Sequence, residues 1–212
     1  MGLILFAGYL KNPEISVDAL SIAMNILGWT VMIAFGFNVA ISVRISNELG
    51  ANHPRTAKLS VVVMALTAAV VGLLLSLGLI LTRNVYPSWF ADSNEVKELV
   101  KRLTPLLATC IVINMIQPAL SGVAIGAGWQ ALVAYVNLAC YYLFGIPIGL
   151  ILGYKFDYGV QGIWFGMMSG TIAQTGILFW LIYKTNWNEE ASIAEARIKV
   201  WGGDDNLKTQ RC

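Results

Sequence analysis

Apolar residues in this chain run on without interruption, and charged ones are confined to the gaps between the runs. No Asp, Glu, Lys or Arg falls in 19–43, 59–82, 103–154 or 158–183. A helix crosses a ~30 Å hydrocarbon core with about 20 such residues, so the first, second and fourth runs each measure one crossing and the third measures two. Within lipid every backbone N–H and C=O must find its partner inside the protein, which leaves helices or closed barrels. The runs lack the period-two alternation of barrel strands. The pattern therefore predicts an all-α fold, a polytopic transmembrane helix bundle with full spans at 19–43, 59–82, 103–127, 131–153 and 158–183. Gly126 to Gln130 divides the longest run without a single charge, which implies a tight hairpin.

Residues 2–11 are apolar up to Lys11-Asn12-Pro13 and would rise only roughly 14 Å as a helix. They read as a truncated first span, the second half of a helix whose start lies upstream. Two polar-flanked segments are expected on the membrane surface. In 92–103, Val96, Leu99, Val100 and Leu103 recur at helical spacing, with Asp92 and Glu95 placed as a capping box. In the tail, Trp187, Ala191, Ala194, Ile198 and Trp201 share one face and Gly202-Gly203 ends it. The chain thus divides into a bundle, 1–184, and a tail, 185–212, with a short amphipathic helix. Trp129, Tyr154, Tyr158, Tyr183 and Trp187 near span ends fit an aromatic belt.

Composition agrees with the pattern: 57% of the 212 residues are hydrophobic and 12% charged, against about 25% charged in a soluble chain. A net charge of +2 with no basic stripe excludes nucleic acid as a partner. The three cysteines are odd in number, two of them mid-span, and form no disulfide framework. Loops 44–58 and 127–130 with the tail hold eight Lys and Arg against six on the other side, a slight bias toward a cytosolic C-terminus.

Enzyme templates fail. His53, the one histidine, sits in a loop without a second ligand at metal spacing, and no catalytic or phosphate-binding motif is present. Neither an enzyme activity nor a cofactor nor a metal is expected. What the spans carry instead is uncharged polar groups and small residues. Cys110, Asn114, Gln117 and Ser121 fall on one helical face. Pro118, lacking an N–H, frees the carbonyl of Asn114 and favours a kink there. Asn25 continues a face from Asp18 and Ser21; Asn137 and Tyr141 are one turn apart on a span with its own Pro147. Asn25, Asn114, Gln117, Asn137 and Tyr141 are the candidate cavity residues, with Pro118 and Pro147 as helix-kink positions. Bent helices with polar groups at mid-depth suit a transporter that rocks around its cargo. Gly145, Gly149 and Gly153, and Gly162, Gly166 and Gly170, form two flat strips for close helix packing, with Gln174 closing the second.

The runs SVRISNELGAN (42–52), IQPALSGVAIGAGWQALVAYVNLACYYLFGIPIG (116–149), GVQGIWFGMMSG (159–170) and KTNWNEEA (184–191) resemble the plant multidrug and toxic compound extrusion (MATE) transporters over nearly the whole chain. The resemblance implies a twelve-helix antiporter of two six-helix bundles that exports organic solutes and xenobiotics in exchange for protons. This chain would be the C-terminal bundle, its tail cytosolic, in the plasma membrane or the vacuolar membrane. Its implied partners are the lipid bilayer, small organic solutes, protons as coupling ion, and the N-terminal bundle that it lacks. In some members of that family an acid stands where this chain has Asn114, and the helix-seven carboxylate would precede Met1. Asn52 replaces a frequent glycine, which asparagine tolerates by adopting a left-handed conformation. The alternative is a non-transporting membrane protein that only packs with a partner bundle.

Overall fold

The computed structural model describes residues 13–156 and 158–202. Helix α1 spans Pro13–Gly50, α2 Pro54–Leu81, α3 Asn94–Gly126, α4 Gln130–Lys155, α5 Gly159–Lys184 and α6 Trp187–Gly202, with a single 3₁₀ turn at Tyr86–Trp89. The first five are long and apolar enough to cross a membrane, and no strand occurs among the described residues. The expected half-span 2–11, the stop at Gly203 and the side chain of Trp201 lie outside the described residues.

The helices outrun the charge-free stretches because their ends are built from turn chemistry rather than from hydropathy. At the end of α1, Asn52 adopts φ 56°, and the amides of Ala51, Asn52 and His53 close onto the carbonyls of Asn47, Leu49 and Glu48. Pro54 then opens α2, where a missing N–H costs nothing. Between α3 and α4, Gly128 takes φ 90°, a region closed to most L residues. The amides of Gly128 and Trp129 close back onto Ile125 and Ala124 at 2.9 Å.

Helix α3 is the most enclosed of the spans, and α1, α2 and α5 pack around it. Two buried clusters stack along it. One joins Leu20 and Ala23 of α1 to Val96, Val100, Leu103, Leu107 and Ile111 of α3 and to Trp164 of α5. The other joins Ile45 and Leu49 of α1, Val61 of α2, Val123 of α3, Leu178 of α5, and Trp187 and Ala191 of α6.

Both surface segments are placed differently from expectation. Residues 94–103 form the first turns of α3, not a separate interfacial helix, because Val96, Val100 and Leu103 continue the buried face of Leu107 and Ile111 against α1. No capping box forms either: α3 starts after Ser93, with no side chain bonded to its first amides. The tail helix forms as expected, but Trp187 and Ala191 spend its apolar face on the bundle rather than on lipid. Trp187 is 8% exposed and so is no membrane anchor.

Helix α4 departs from regular geometry. Wide π turns at Ala139–Gly145 and Ile151–Lys155 flank a short α stretch, Ile146–Leu150, that contains Pro147. Such turns are rare and concentrate at functional sites.

Candidate functional site

A cavity of about 90 Å³ lies among four of the spans. Met24 and Leu27 face it from α1, Cys110, Ile113 and Asn114 from α3, Tyr141 from α4, and Trp164, Met167, Met168 and Thr171 from α5. Among the described residues its wall holds no carboxylate or amine. Aromatic faces and polarisable thioethers dominate, with an amide, a phenol, a hydroxyl, a thiol and an indole N–H as the polar groups. Methionine adapts its shape to irregular ligands and makes favourable sulfur–aromatic contacts, so this wall suits uncharged organic surfaces better than a fixed ion.

Two of the five candidate cavity residues, Asn114 and Tyr141, meet in this cavity. The other three do not line it. Asn25 is exposed on α1. The Gln117 amide donates to the Ser121 hydroxyl at 2.9 Å, closing the polar stripe on itself. Asn137 accepts a hydrogen bond from the side-chain amide of Gln174 across α4 and α5. Gln174 is fully buried, and its Oε1 has no partner. Asn114 is also tied locally, its Nδ2 donating to the Cys110 carbonyl at 2.9 Å. That leaves its carbonyl oxygen and second amide hydrogen for a solute.

Helix α3 continues through both Pro105 and Pro118. At Pro118 the helix is joined by a residue that sequence reasoning passed over. The Nδ2 of Asn38, on α1, donates to the Pro118 carbonyl at 2.7 Å. A second amide inside the run 19–43, it was a signal of the same kind as Asn25, but its partner 80 positions away was not legible. Glycine lets the two backbones meet there: a Cβ at Gly122 would collide with the Asn38 backbone, and one at Gly126 would lie 2.6 Å from the Ser42 carbonyl.

The two glycine strips face each other across α4 and α5. A Cβ on Gly166 would fall on the backbone of Gly149, one on Gly170 would sit 2.9 Å from the Cys140 carbonyl, and one on Gly162 would sit 2.6 Å from that of Leu152. Gly145 packs beside Gly166 and Gly170, and Gly153 beside Ile163. Pro147 lies on the exposed side of α4. This seam brings Tyr141 to the same cavity as Trp164 and Thr171.

Outside the cavity, charge gathers at the α1–α2 turn. Glu48 holds Arg44 at 2.8 Å and lies 3.5 Å from His53 Nδ1. Among the described residues no three His, Cys, Asp or Glu side chains gather as metal ligands would. At the other end of the bundle the buried Tyr86 hydroxyl bonds Thr104 at 2.6 Å. Burial raises the Tyr86 pKa, an effect the Thr104 bond partly offsets.

Comparison with known proteins places this arrangement in a wider set. A family model described as MatE matches residues 1–151. Protein DETOXIFICATION 32 of Arabidopsis thaliana is 63% identical over 210 residues, covering 99% of this chain and 41% of its own. Protein DETOXIFICATION 29 of the same plant is 65% identical over 204 residues, covering 96% and 41%. The crystal structure of the eukaryotic MATE transporter AtDTX14 superimposes with a TM-score of 0.87 at 34% identity, over 93% of this chain and 44% of that one. The chain therefore spans about two fifths of the length of the relatives it matches.

Proposed function

This chain belongs to the MatE family and is an integral, multi-pass membrane protein; from that premise we propose that it forms the C-terminal lobe of an exporter of organic solutes. In this reading α1 to α5 make one wall of the transport path, and the first lobe supplies the other. Asn114 and Tyr141 orient the solute by hydrogen bonds, while Met24, Trp164, Met167 and Met168 cover its apolar faces. Pro118 and Pro147 provide the bends about which α3 and α4 change shape, and the glycine seam keeps α4 and α5 close. Residues 185–212 form a cytosolic tail, and the membrane is the plasma or the vacuolar one. Export proceeds as antiport against protons, with the coupling acid outside this cavity, since Asn114 carries no exchangeable charge.

The observation that carries the reading is the meeting of Asn114, Tyr141 and Thr171 from three spans around one hollow whose described lining carries no charge. The test is efflux from proteoliposomes containing this chain joined to the first lobe of Protein DETOXIFICATION 29. Asn114→Leu with Tyr141→Leu is expected to cut solute efflux about tenfold, the loss of one to two hydrogen bonds. Unchanged efflux at equal protein content would refute the assignment of the cavity.

A second reading, a membrane protein that packs with a partner bundle and transports nothing by itself, is favoured by one observation. The hollow of about 90 Å³ falls below the roughly 300 Å³ at which sites for organic ligands begin. Proteoliposomes of the 212-residue chain alone test this second reading: solute efflux driven by a proton gradient would exclude it, and none is expected, because one wall cannot alternate access.

A further inference from the structure

We propose that the groove between α1 and α2 seats one anionic phospholipid, its phosphate at Arg44 and one acyl chain laid along the helices. The groove has a volume of about 360 Å³, and Phe37 and Arg44 of α1 face Leu59, Val63 and Met64 of α2 across it. On α2 it extends from Thr56 to Thr67, roughly 16 Å at 1.5 Å per residue.

Polarity changes along its length. Arg44 is the first charged residue after the run 19–43, and Arg55 stands near the same end on the neighbouring helix. Beyond them the groove is hydrocarbon, and its hydroxyls turn back onto their own helix. Ser60 donates to the Thr56 carbonyl at 2.9 Å and Thr67 to that of Val63 at 2.8 Å. An apolar slot closed by a cation at the depth where charges begin has the outline of a phospholipid lying in its leaflet.

The cation is available. Arg44 gives Nη2 to Glu48, yet its side chain remains 56% exposed, and a guanidinium carries five N–H donors. Arg55 is exposed and makes no ion pair among the described residues. Leu59 and Val63 are 61% and 54% exposed, so the slot opens outward and no described element covers it. A zwitterionic head brings its own ammonium toward Arg44 and Arg55, and this selects for lipids with net negative charge.

Native mass spectrometry of the full 212-residue chain reads this directly. The chain is extracted in non-ionic detergent and offered phosphatidylglycerol or phosphatidylcholine with identical acyl chains. The expected result is one retained phosphatidylglycerol, about fivefold more abundant than the phosphatidylcholine adduct, as one phosphate-directed cation implies. Arg44→Gln removes that preference. Because it also removes the arginine that Glu48 pairs with, Arg55→Gln serves as a second charge variant, expected to lower the preference about twofold. Val63→Trp fills the slot from an exposed position and abolishes the adduct. Equal retention of both lipids, a preference unchanged in both arginine variants, or an adduct that survives Val63→Trp overturns the proposal.

Discussion

The side-chain amide of Asn38 holds the carbonyl of Pro118 at 2.7 Å, joining α1 to α3 between the two buried clusters. The Asn38 backbone packs on Gly122 one turn further along, so the same residue supplies a donor and a close crossing. Asn38→Leu is expected to keep the fold and lower its stability by about 1 kcal/mol, the usual worth of such a bond between membrane helices. Equilibrium unfolding in mixed detergent micelles measures it, and a variant as stable as the parent would show that the bond contributes nothing.

The glycine seam makes a sharper forecast. Gly166 meets backbone, which cannot swing aside, so Gly166→Val must push α4 away from α5. A loss of about 3 kcal/mol or more is expected. Gly176 lies on the same helix with no atom within 4 Å of an added Cβ. Gly176→Ala should leave stability unchanged or raise it by up to ~1 kcal/mol through helix propensity. Thermal melting of the two variants side by side checks both, and equal melting points would contradict the packing account.

The tail is held at two turns of the chain. Ile198 reaches Gly50, and the Arg197 guanidinium lies on Gly128, with Nη1 3.5 Å from the Ala127 carbonyl. Gly128→Ala combines a left-handed backbone, costing about 1–2 kcal/mol, with displacement of Arg197. Limited proteolysis should then cut the variant within 185–202 faster than the parent, whereas Lys58→Ala, on an exposed site, should cut at the parental rate.

Asn114→Leu separates binding from folding. Its amide closes on its own helix at Cys110, so removal should cost under ~1 kcal/mol of stability. In the assembled two-lobe transporter, however, it should raise the solute concentration needed for half-maximal efflux about fivefold. A melting point lowered in step with transport would mean that Asn114 acts as a packing residue.

Much of this arrangement could be read from hydropathy, because a bilayer forces spans to be long and uncharged. The five spans and the hairpin at 126–130 follow from that single constraint. Residues 94–103 did not, since an apolar stripe looks the same whether lipid or α1 covers it. The strips of glycine announced close contact but not that each strip would find the other. Within the site, residue type identified Asn114 and Tyr141 but could not say which amides would face the cavity. Gln117 and Asn137 found nearer partners in Ser121 and Gln174, and such short-range competition is decided by rotamers, not by spacing. The π turns of α4 likewise leave no mark on periodicity over so short a stretch.

The local closure of Asn114 onto Cys110 has a consequence for turnover. With one N–H of Asn114 held by the Cys110 carbonyl and the Thr171 hydroxyl by that of Met167, a departing solute would strand fewer polar groups in an oily interior than an untied wall would. In the proposed exporter this partial closure lowers the cost of an empty site, which favours fast unloading and tolerance of many shapes over tight retention of one.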